Sequence, residues 1–525
     1  MSRLNVPPNF IGTGGADTLI GEQLNASPAI GIDILTGGSI RTLSGIDTIT
    51  GIATGDNGPE QSSDGASGTG IANSGSIDAG DGNDAIAGTG NGGSGSGGLN
   101  NSGNGAFGTG IANSGGINAG NGNDTITGTA TGGTGGSGYF GGNGGNAIGI
   151  TNSGSINAGD GNDAIAGTAT GGESGGGFVG GSGGNAIGIT NSSSINTGSG
   201  KDTITGIGRG NDGGRDGGGG GTGTGITNSK ELDTGDGDDT ITGTGSGGSG
   251  VVGDSGGSGA TGIGIANSGS INTGSGKDTI TGTGTGGNGA DGFYSDGGGG
   301  TGTGITNSKE LDTGDGEDTI TGTGTGGIGY RGTTAGIGIQ NTKDATITTG
   351  SGNDTIIGYG KSSEKNATSY GIFNDGVIET GKNSDKLTGQ ASSTISGTAY
   401  GIYGQGIIKT GDGNDSLIAA SILDGVQQKV SIGGGIKIDL GTGNDYLKGF
   451  GVASVDGGKG FDTLDLGAFN RSQLIVSGVT SGNTLESANI SFNNNGNTIT
   501  LSTTGFEKFI FADSSFEYST LANGA

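Results

Sequence analysis

The sequence has no cysteine, no histidine and no tryptophan, one methionine and 4 prolines in 525 residues. Without cysteine there are no disulfides and no thiolate metal sites. Without histidine the commonest catalytic base and the commonest zinc ligand are both missing. Hydrophobic residues other than glycine make up 27% and aromatics 4%, where ordinary domains carry about 45–50% apolar residues including about 7% glycine; a thick hydrophobic core is excluded. Basic residues are scarce too, 21 Lys+Arg against 49 Asp+Glu for a net charge of −28. That balance argues against nucleic acid or an anionic membrane surface as partner. No apolar run approaches the roughly 18 residues of a spanning helix, so membrane insertion is not expected. The opening MSRLNVPPNFIGTGG lacks the apolar stretch of a cleavable secretory signal.

Glycine, by contrast, occurs 140 times. It loses the most backbone freedom on folding, and ordering any residue costs roughly 1–2 kcal/mol. So little apolar area implies disorder or a ligand-dependent fold. Few prolines and no strict Gly-X-Y period exclude collagen. The excess acid favours cations, and an oxygen-only ligand set suits Ca²⁺ or Mg²⁺.

Internal repetition organises the chain. The Asn of the phrase I-[AT]-N-S recurs at Asn73, Asn113, Asn152, Asn191, Asn228, Asn267 and Asn307, with degenerate copies at Asn341 and Asn374. An Asp follows 11 residues after each of the first seven, whereas the distance between units drifts. A fixed half and a variable half suit a stacked core with a loop on one side. In GIGIANSGSINTGSGKDTITGTGTGG (262–287) the apolar residues alternate. Ile263 and Ile265 are expected on one face, and Ile280, Gly282 and Gly284 on one face with Thr279, Thr281, Thr283 and Thr285 opposite. Period-two alternation with SG and TGSG turns reads as short strands. The expected fold is all-β, a parallel β-solenoid of about 30–40 residues per rung with Gly-rich inserts and a C-terminal β cap. Stacked rungs would place the recurrent Asn in an amide ladder. Four segments follow: N-terminal rungs at 1–66, a long-repeat solenoid at 67–360, a shorter-repeat solenoid at 361–460, and the cap at 461–525. The inserts (89–107, 129–145, 170–184, 207–222, 244–259 and 284–300) read as Gly-rich loops. Most carry bulky residues, such as Tyr139/Phe140, Phe178/Val179 and Phe293/Tyr294, which could serve as contacts between copies.

The turn [TA]-G-x-G-x-D-x-[IL] carries the chemistry, as in AGDGNDAI (79–86), TGSGKDTI (197–204) and TGDGNDSL (410–417). The glycines permit a tight turn with inward carbonyls, and the Asp adds a carboxylate. Stacked copies would offer the 6–8 oxygens that Ca²⁺ prefers. A glycine turn with a metal-free Asp ladder is the other reading, although stacked carboxylates repel one another.

These residues resemble the RTX (hemolysin-type, calcium-binding) repeat family, whose nonapeptide is G-G-x-G-x-D-x-U-x. GGKGFDTLD (457–465) fits closely, and GTGGADTLI (12–20) nearly so. The resemblance implies Ca²⁺ ligands at Asp17, Asp47, Asp84, Asp124, Asp163, Asp202, Asp239, Asp278, Asp318, Asp354, Asp415, Asp445 and Asp462. Asp385, in TGKNSDKL, lacks the second glycine and is set aside. With one copy per 30–40 residues rather than every nine, one row of sites along one edge is expected. The segment 461–516, GFEKFIFAD (505–513) above all, is similar to the end of type I-secreted members and implies an uncleaved C-terminal export signal.

An enzyme is not expected. Gly180–Gly184 matches G-x-S-x-G with no His to activate the serine. Gly360-Lys361-Ser362 lacks the leading glycine of a phosphate loop, position 355 being Thr. The resemblance implies a secreted, calcium-binding structural protein that folds outside the cell and self-associates into a fibril, sheath or layer, with cell-surface polysaccharide as a further partner. The alternative is an ice-binding or adhesive solenoid using its outward Thr rows, and after that a β-helical polysaccharide-active enzyme.

Overall fold

The computed structural model describes residues 2–329, 334–394, 396–478, 487–494 and 496–522. Residues 479–486, within the 461–516 segment, lie outside them. The chain is a parallel β-solenoid. A typical rung has three strands, Gly108–Asn113, Gly116–Asn121 and Thr125–Thr131, and the next repeats them as Ala147–Asn152, Ser155–Asp160 and Ala164–Thr170. Like stacks on like: Ile111 pairs with Ile150, Ile117 with Ile156 and Ile126 with Ile165, all in parallel register. First and second strands form one long sheet, and third strands the facing one.

Each rung contributes three core side chains, such as Ile150, Ile156 and Ile165, all at most 1% exposed. Beyond them the two sheets meet through glycine. A Cβ on Gly88 would lie 2.2 Å from the Gly110 carbonyl oxygen, and one on Gly70 would lie 2.3 Å from the Thr89 nitrogen. The core is thin because backbone packs on backbone. This contact corrects one expectation from the alternation. In Gly262–Asn267 both Gly264 and Ile265 point inward, and Ile263 is turned out. The alternation of Ile280, Gly282 and Gly284 inside with Thr279, Thr281, Thr283 and Thr285 outside holds.

The Asn ladder is continuous. Asn73 Nδ2 donates to Asn113 Oδ1 at 2.8 Å, and the chain of amides runs on to Asn374 with steps of 2.8–3.0 Å. Each Nδ2 from Asn73 to Asn341 also donates to a backbone carbonyl one rung on, such as Asn152 to Ser194 at 2.9 Å. These amides are at most 2% exposed, and their polar atoms are satisfied by the rungs they join.

The Gly-rich inserts are not irregular loops. Each has an outgoing and a returning leg, and hydrogen bonds recur every third residue. In the outgoing leg Gly92 and Gly95 donate to Thr131 and Thr134 of the next insert, while Gly93 and Ser96 donate to Ala66 and Ser63 of the preceding one. In the returning leg Gly103 and Ala106 donate to Ser96 and Gly93, and Gly105 donates to Asn143. A three-residue period is that of the polyproline II conformation. The legs lie so close that a Cβ on Gly172 would be 2.0 Å from the Gly133 oxygen. Glycine is required there by contact, and the inserts form an ordered array beside the solenoid.

From Thr368 the inserts vanish and the third strands lengthen, as at Lys386–Ser393. At the C-terminal end the parallel pattern stops. Ser487–Asn494 pairs antiparallel with Asn497–Thr504, and Lys508–Phe511 with Ser515–Glu517. Phe450, Phe469, Phe506 and Phe509 are each at most 1% exposed beneath this cap.

Candidate functional site

The turn between second and third strand is built by two glycines with positive φ, such as Gly159 (+114°) and Gly161 (+144°). Side chains are disfavoured in that region. A Cβ on Gly161 would also lie 1.7 Å from the Gly122 oxygen one rung earlier. The second-glycine carbonyls therefore stack along the corner. Where glycine is absent, Leu43 (φ +81°) takes the conformation of a first glycine such as Gly235 (+82°), and Asn383 (φ +77°) also keeps a positive φ at the second position, short of the +144° of Gly161.

All thirteen aspartates expected as ligands lie in one row beside these turns, and Asp385 joins them. Asn383 takes a positive φ in place of the missing glycine, a conformation Asn tolerates. The backbone N–H of each aspartate donates to Oδ1 of the aspartate in the following rung, at 2.6–2.8 Å from Asp17 through Asp462. The Asp462 N–H then donates to Glu507 Oε2 at 2.6 Å. Sequence reading missed Glu507, although GFEKF aligns with the x-D-x-[IL] turn once Glu507 takes the place of Asp and Phe509 that of Ile or Leu.

From Asp47 to Asp462 these side chains are at most 2% exposed. One oxygen of each, Oδ2, is buried without a hydrogen bond of normal geometry. The turn threonines Thr197, Thr234, Thr273, Thr313, Thr349, Thr380 and Thr410 set a hydroxyl beside Asp202, Asp239, Asp278, Asp318, Asp354, Asp385 and Asp415 that favours the ionised form. Burial raises the Asp163, Asp239, Asp318, Asp385 and Asp445 carboxyls to about 7, against the N–H donated to each, and neighbouring carboxylates raise them further. Asp84, Asp278 and Asp462 are raised to about 6, again chiefly by burial. Asp124, Asp202, Asp354 and Asp415 shift upward for the same reason. A file of orphaned buried oxygens is costly and fits a hard cation that would supply their missing partner. Among the described residues no three His, Cys, Asp or Glu side chains cluster to hold a metal. A cation on this row would accordingly combine carboxylate Oδ2 atoms with the stacked glycine carbonyls.

The outer corner avoids charge stacking. The residue between the two glycines alternates as Asp81, Asn121, Asp160, Ser199, Asp236, Ser275, Asp315 and Ser351. The neutral members donate to the acids, Ser275 Oγ to Asp236 Oδ1 at 2.6 Å and Asn121 Nδ2 to Asp81 Oδ1 at 2.7 Å.

On the third-strand sheet the outward residues form in-register columns. Thr240, Thr242, Thr244 and Ser246 pair with Thr279, Thr281, Thr283 and Thr285, which pair with Thr319, Thr321, Thr323 and Thr325. Strand geometry sets these hydroxyls about 4.8 Å apart between rungs and about 6.7 Å apart along a strand. At the far edge, the tips of the inserts expose Leu99, Tyr139, Phe140, Phe178, Val252, Phe293 and Tyr294, the last two at 82% and 74%.

No family model matches the chain, and no curated protein sequence matches it. Among solved structures, the crystal structure of a hyperactive, Ca²⁺-dependent, β-helical antifreeze protein from an Antarctic bacterium aligns over 96% of this chain and 94% of that one. The identity is 14% and the TM-score 0.32, too low to carry that protein's properties across.

Proposed function

We propose that the protein is a non-catalytic, cation-stabilised rod of the cell exterior whose Thr face binds an ordered surface, ice in the first instance. The observation that supports this is the uninterrupted hydroxyl lattice over residues 240–325, three rungs deep and four columns wide. Methyl and hydroxyl groups repeated on a fixed grid offer ordered water a matching template. Calcium is the proposed cation: thirteen buried Oδ2 atoms lack a hydrogen bond of normal geometry, and oxygen ligands suit a hard ion. When bound, it would neutralise the Asp row, so that binding free energy becomes folding free energy. Low calcium inside a cell would leave the acidic chain unfolded and exportable. The resemblance of GFEKFIFAD to RTX export segments supports type I secretion.

The test is thermal hysteresis and ice shaping by the calcium-loaded protein, with Thr281→Tyr and Thr283→Tyr as disrupting variants. Activity in the parent and a loss of tenfold or more in the variants is expected. No ice shaping by the parent overturns the reading.

A second reading is self-assembly into surface fibrils or layers, supported by the row of exposed insert tips. Filaments in calcium seen by electron microscopy, lost in Phe293→Ser with Tyr294→Ser, would favour it. Monodisperse rods would refute it.

A further inference from the structure

Four aromatic rings stand on the outer face of the first-strand sheet, far from the Ile core. They belong to Thr368–Asn374 and Thr398–Tyr403. Tyr370 and Tyr400 lie nearly parallel, 6.3 Å between centroids and 13° between planes. Phe373 and Tyr403 complete the patch, with Tyr403 4.9 Å from Tyr400 and 5.2 Å from Tyr370. In earlier rungs the register positions of Tyr370 are held by Ile337 and Thr303, so the strand needs no ring there. The following rung keeps the patch free of side chains. Gly433 stands opposite Tyr403, and a Cβ on it would come within 2.8 Å of Tyr403 and 2.9 Å of Tyr400.

Tyr400 also forms one wall of an open cavity of about 480 Å³ between this sheet and the C-terminal cap, within the usual size of small-molecule sites. Leu423, Val426, Val430, Phe492 and Ile499 are among its apolar walls, and the amides of Gln427, Gln428 and Asn494 sit on the lining, with Gln428 Nε2 donating to the Val426 carbonyl at 2.9 Å and its Oε1 left for a ligand. In a chain of net charge −28, no Asp or Glu is among the described residues that line it. Its one cation, Lys429, is engaged by Gln473 Oε1 at 3.0 Å and lies over the Phe469 and Phe492 rings. Flat ring faces beside uncharged amides suit a ligand with apolar C–H faces and hydroxyl edges, as a pyranose presents.

We propose that the Tyr370–Tyr403 aromatic patch and the adjoining cavity at the cap bind a neutral oligosaccharide. The ring of Tyr400 stacks on a sugar face, and Gln427, Gln428 and Asn494 hydrogen-bond its hydroxyls. The site is independent of the Thr face and of the Asp row.

Cellohexaose, maltohexaose and chitohexaose, titrated separately into the full calcium-loaded chain and followed by calorimetry and saturation-transfer NMR, test the proposal. Saturable binding of at least one is expected. Tyr400→Ala should weaken it tenfold or more, Tyr400→Phe should keep it, and Tyr359→Ala, a ring on the other sheet, should leave it unchanged. Val426→Trp, at the exposed cavity lip, should block it with the rod intact by circular dichroism, which covers misfolding of the alanine variant. Absence of binding by all three sugars, equal binding by the Val426→Trp chain, or binding of polyanionic alginate alone would overturn it.

Discussion

Replacing Asp239 by Asn separates a cation ligand from a merely structural carboxylate. Asp239 is 1% exposed, and its carboxyl is raised from 3.8 to about 7, chiefly by burial. Asparagine keeps the Oδ1 that accepts the Asp202 N–H at 2.8 Å and removes only the charge. The folded-state value lies above the unfolded one, so between about pH 4 and 7 the folded chain holds more protons. The carboxyl's contribution is therefore fully present below about pH 4 and lost as pH rises through about 7. At pH 8 in chelator the ionised group costs up to about 4 kcal/mol at about 1.4 kcal/mol per unit, and Asp239→Asn should recover about 2–4 kcal/mol of that. In saturating calcium that gain should shrink to near zero. A site filled 100- to 1,000-fold above its Kd adds about 3–4 kcal/mol to the parent alone, which offsets the about 2–4 kcal/mol that the variant recovers. Thermal unfolding at pH 8, in calcium and in chelator, measures both arms. Destabilisation by the same amount in both would refute the reasoning.

In chelator, the melting temperature of the parent should fall from pH 5 to pH 8, and calcium should flatten that slope; a rise with pH would contradict the upward shifts along the Asp row. Asn191→Ala should cost about 2–4 kcal/mol, since it removes the partner of Asn228 Oδ1, of the Glu231 carbonyl and of one Asn152 Nδ2 hydrogen, the other keeping Ser194, and a buried unpaired group costs about 1–3 kcal/mol; hydrogen exchange should show lost protection in the flanking rungs. Gly172→Ala should open the insert array to protease, whereas Gly176→Ala, whose Cβ would meet nothing nearer than 3.8 Å, should be silent. Equal cleavage of the two would argue against close leg packing.

Much of this architecture was legible in the sequence because stacking turns fixed offsets into columns. Asn73 to Asn374, the Asp row and the Thr columns fall where the repeat puts them. The failures have physical causes. Strict alternation puts Ile263 and Ile265 on one face, but glycine contact between the sheets at Gly264 separates them. The inserts read as loops because period-two alternation is absent from them, while glycine legs joined by hydrogen bonds repeat every third residue. Asp385 joins the row without a second glycine because Asn383 there also accepts a positive φ. The aromatic patch is visible in the sequence only by comparing rungs: TSYGIFN and TAYGIYG place Tyr370, Phe373, Tyr400 and Tyr403 at outward positions that GIGIQN and GTGITN fill with Ile, Gln and Thr.

The hydrogen bonds of the Asp row all run one way, each N–H reaching toward the C-terminal neighbour, and the row ends on Glu507 in a capped, aromatic-plugged terminus. At the other end Asp17 Oδ2 accepts the Thr13 N–H at 2.7 Å. The row is thus a vector, with every donor facing the cap and every Oδ1 acceptor facing away from it. A rung docking on either side completes one such bond, so the polarity alone sets no folding order. The cap does differ from the rungs, since Phe450, Phe469, Phe506 and Phe509 bury there far more apolar area than the three aliphatic side chains of a rung. Folding is therefore expected to begin at the cap, and pulse-labelled hydrogen exchange after calcium addition should show protection spreading from it toward Asp17; protection appearing first at the N-terminal rungs would contradict this.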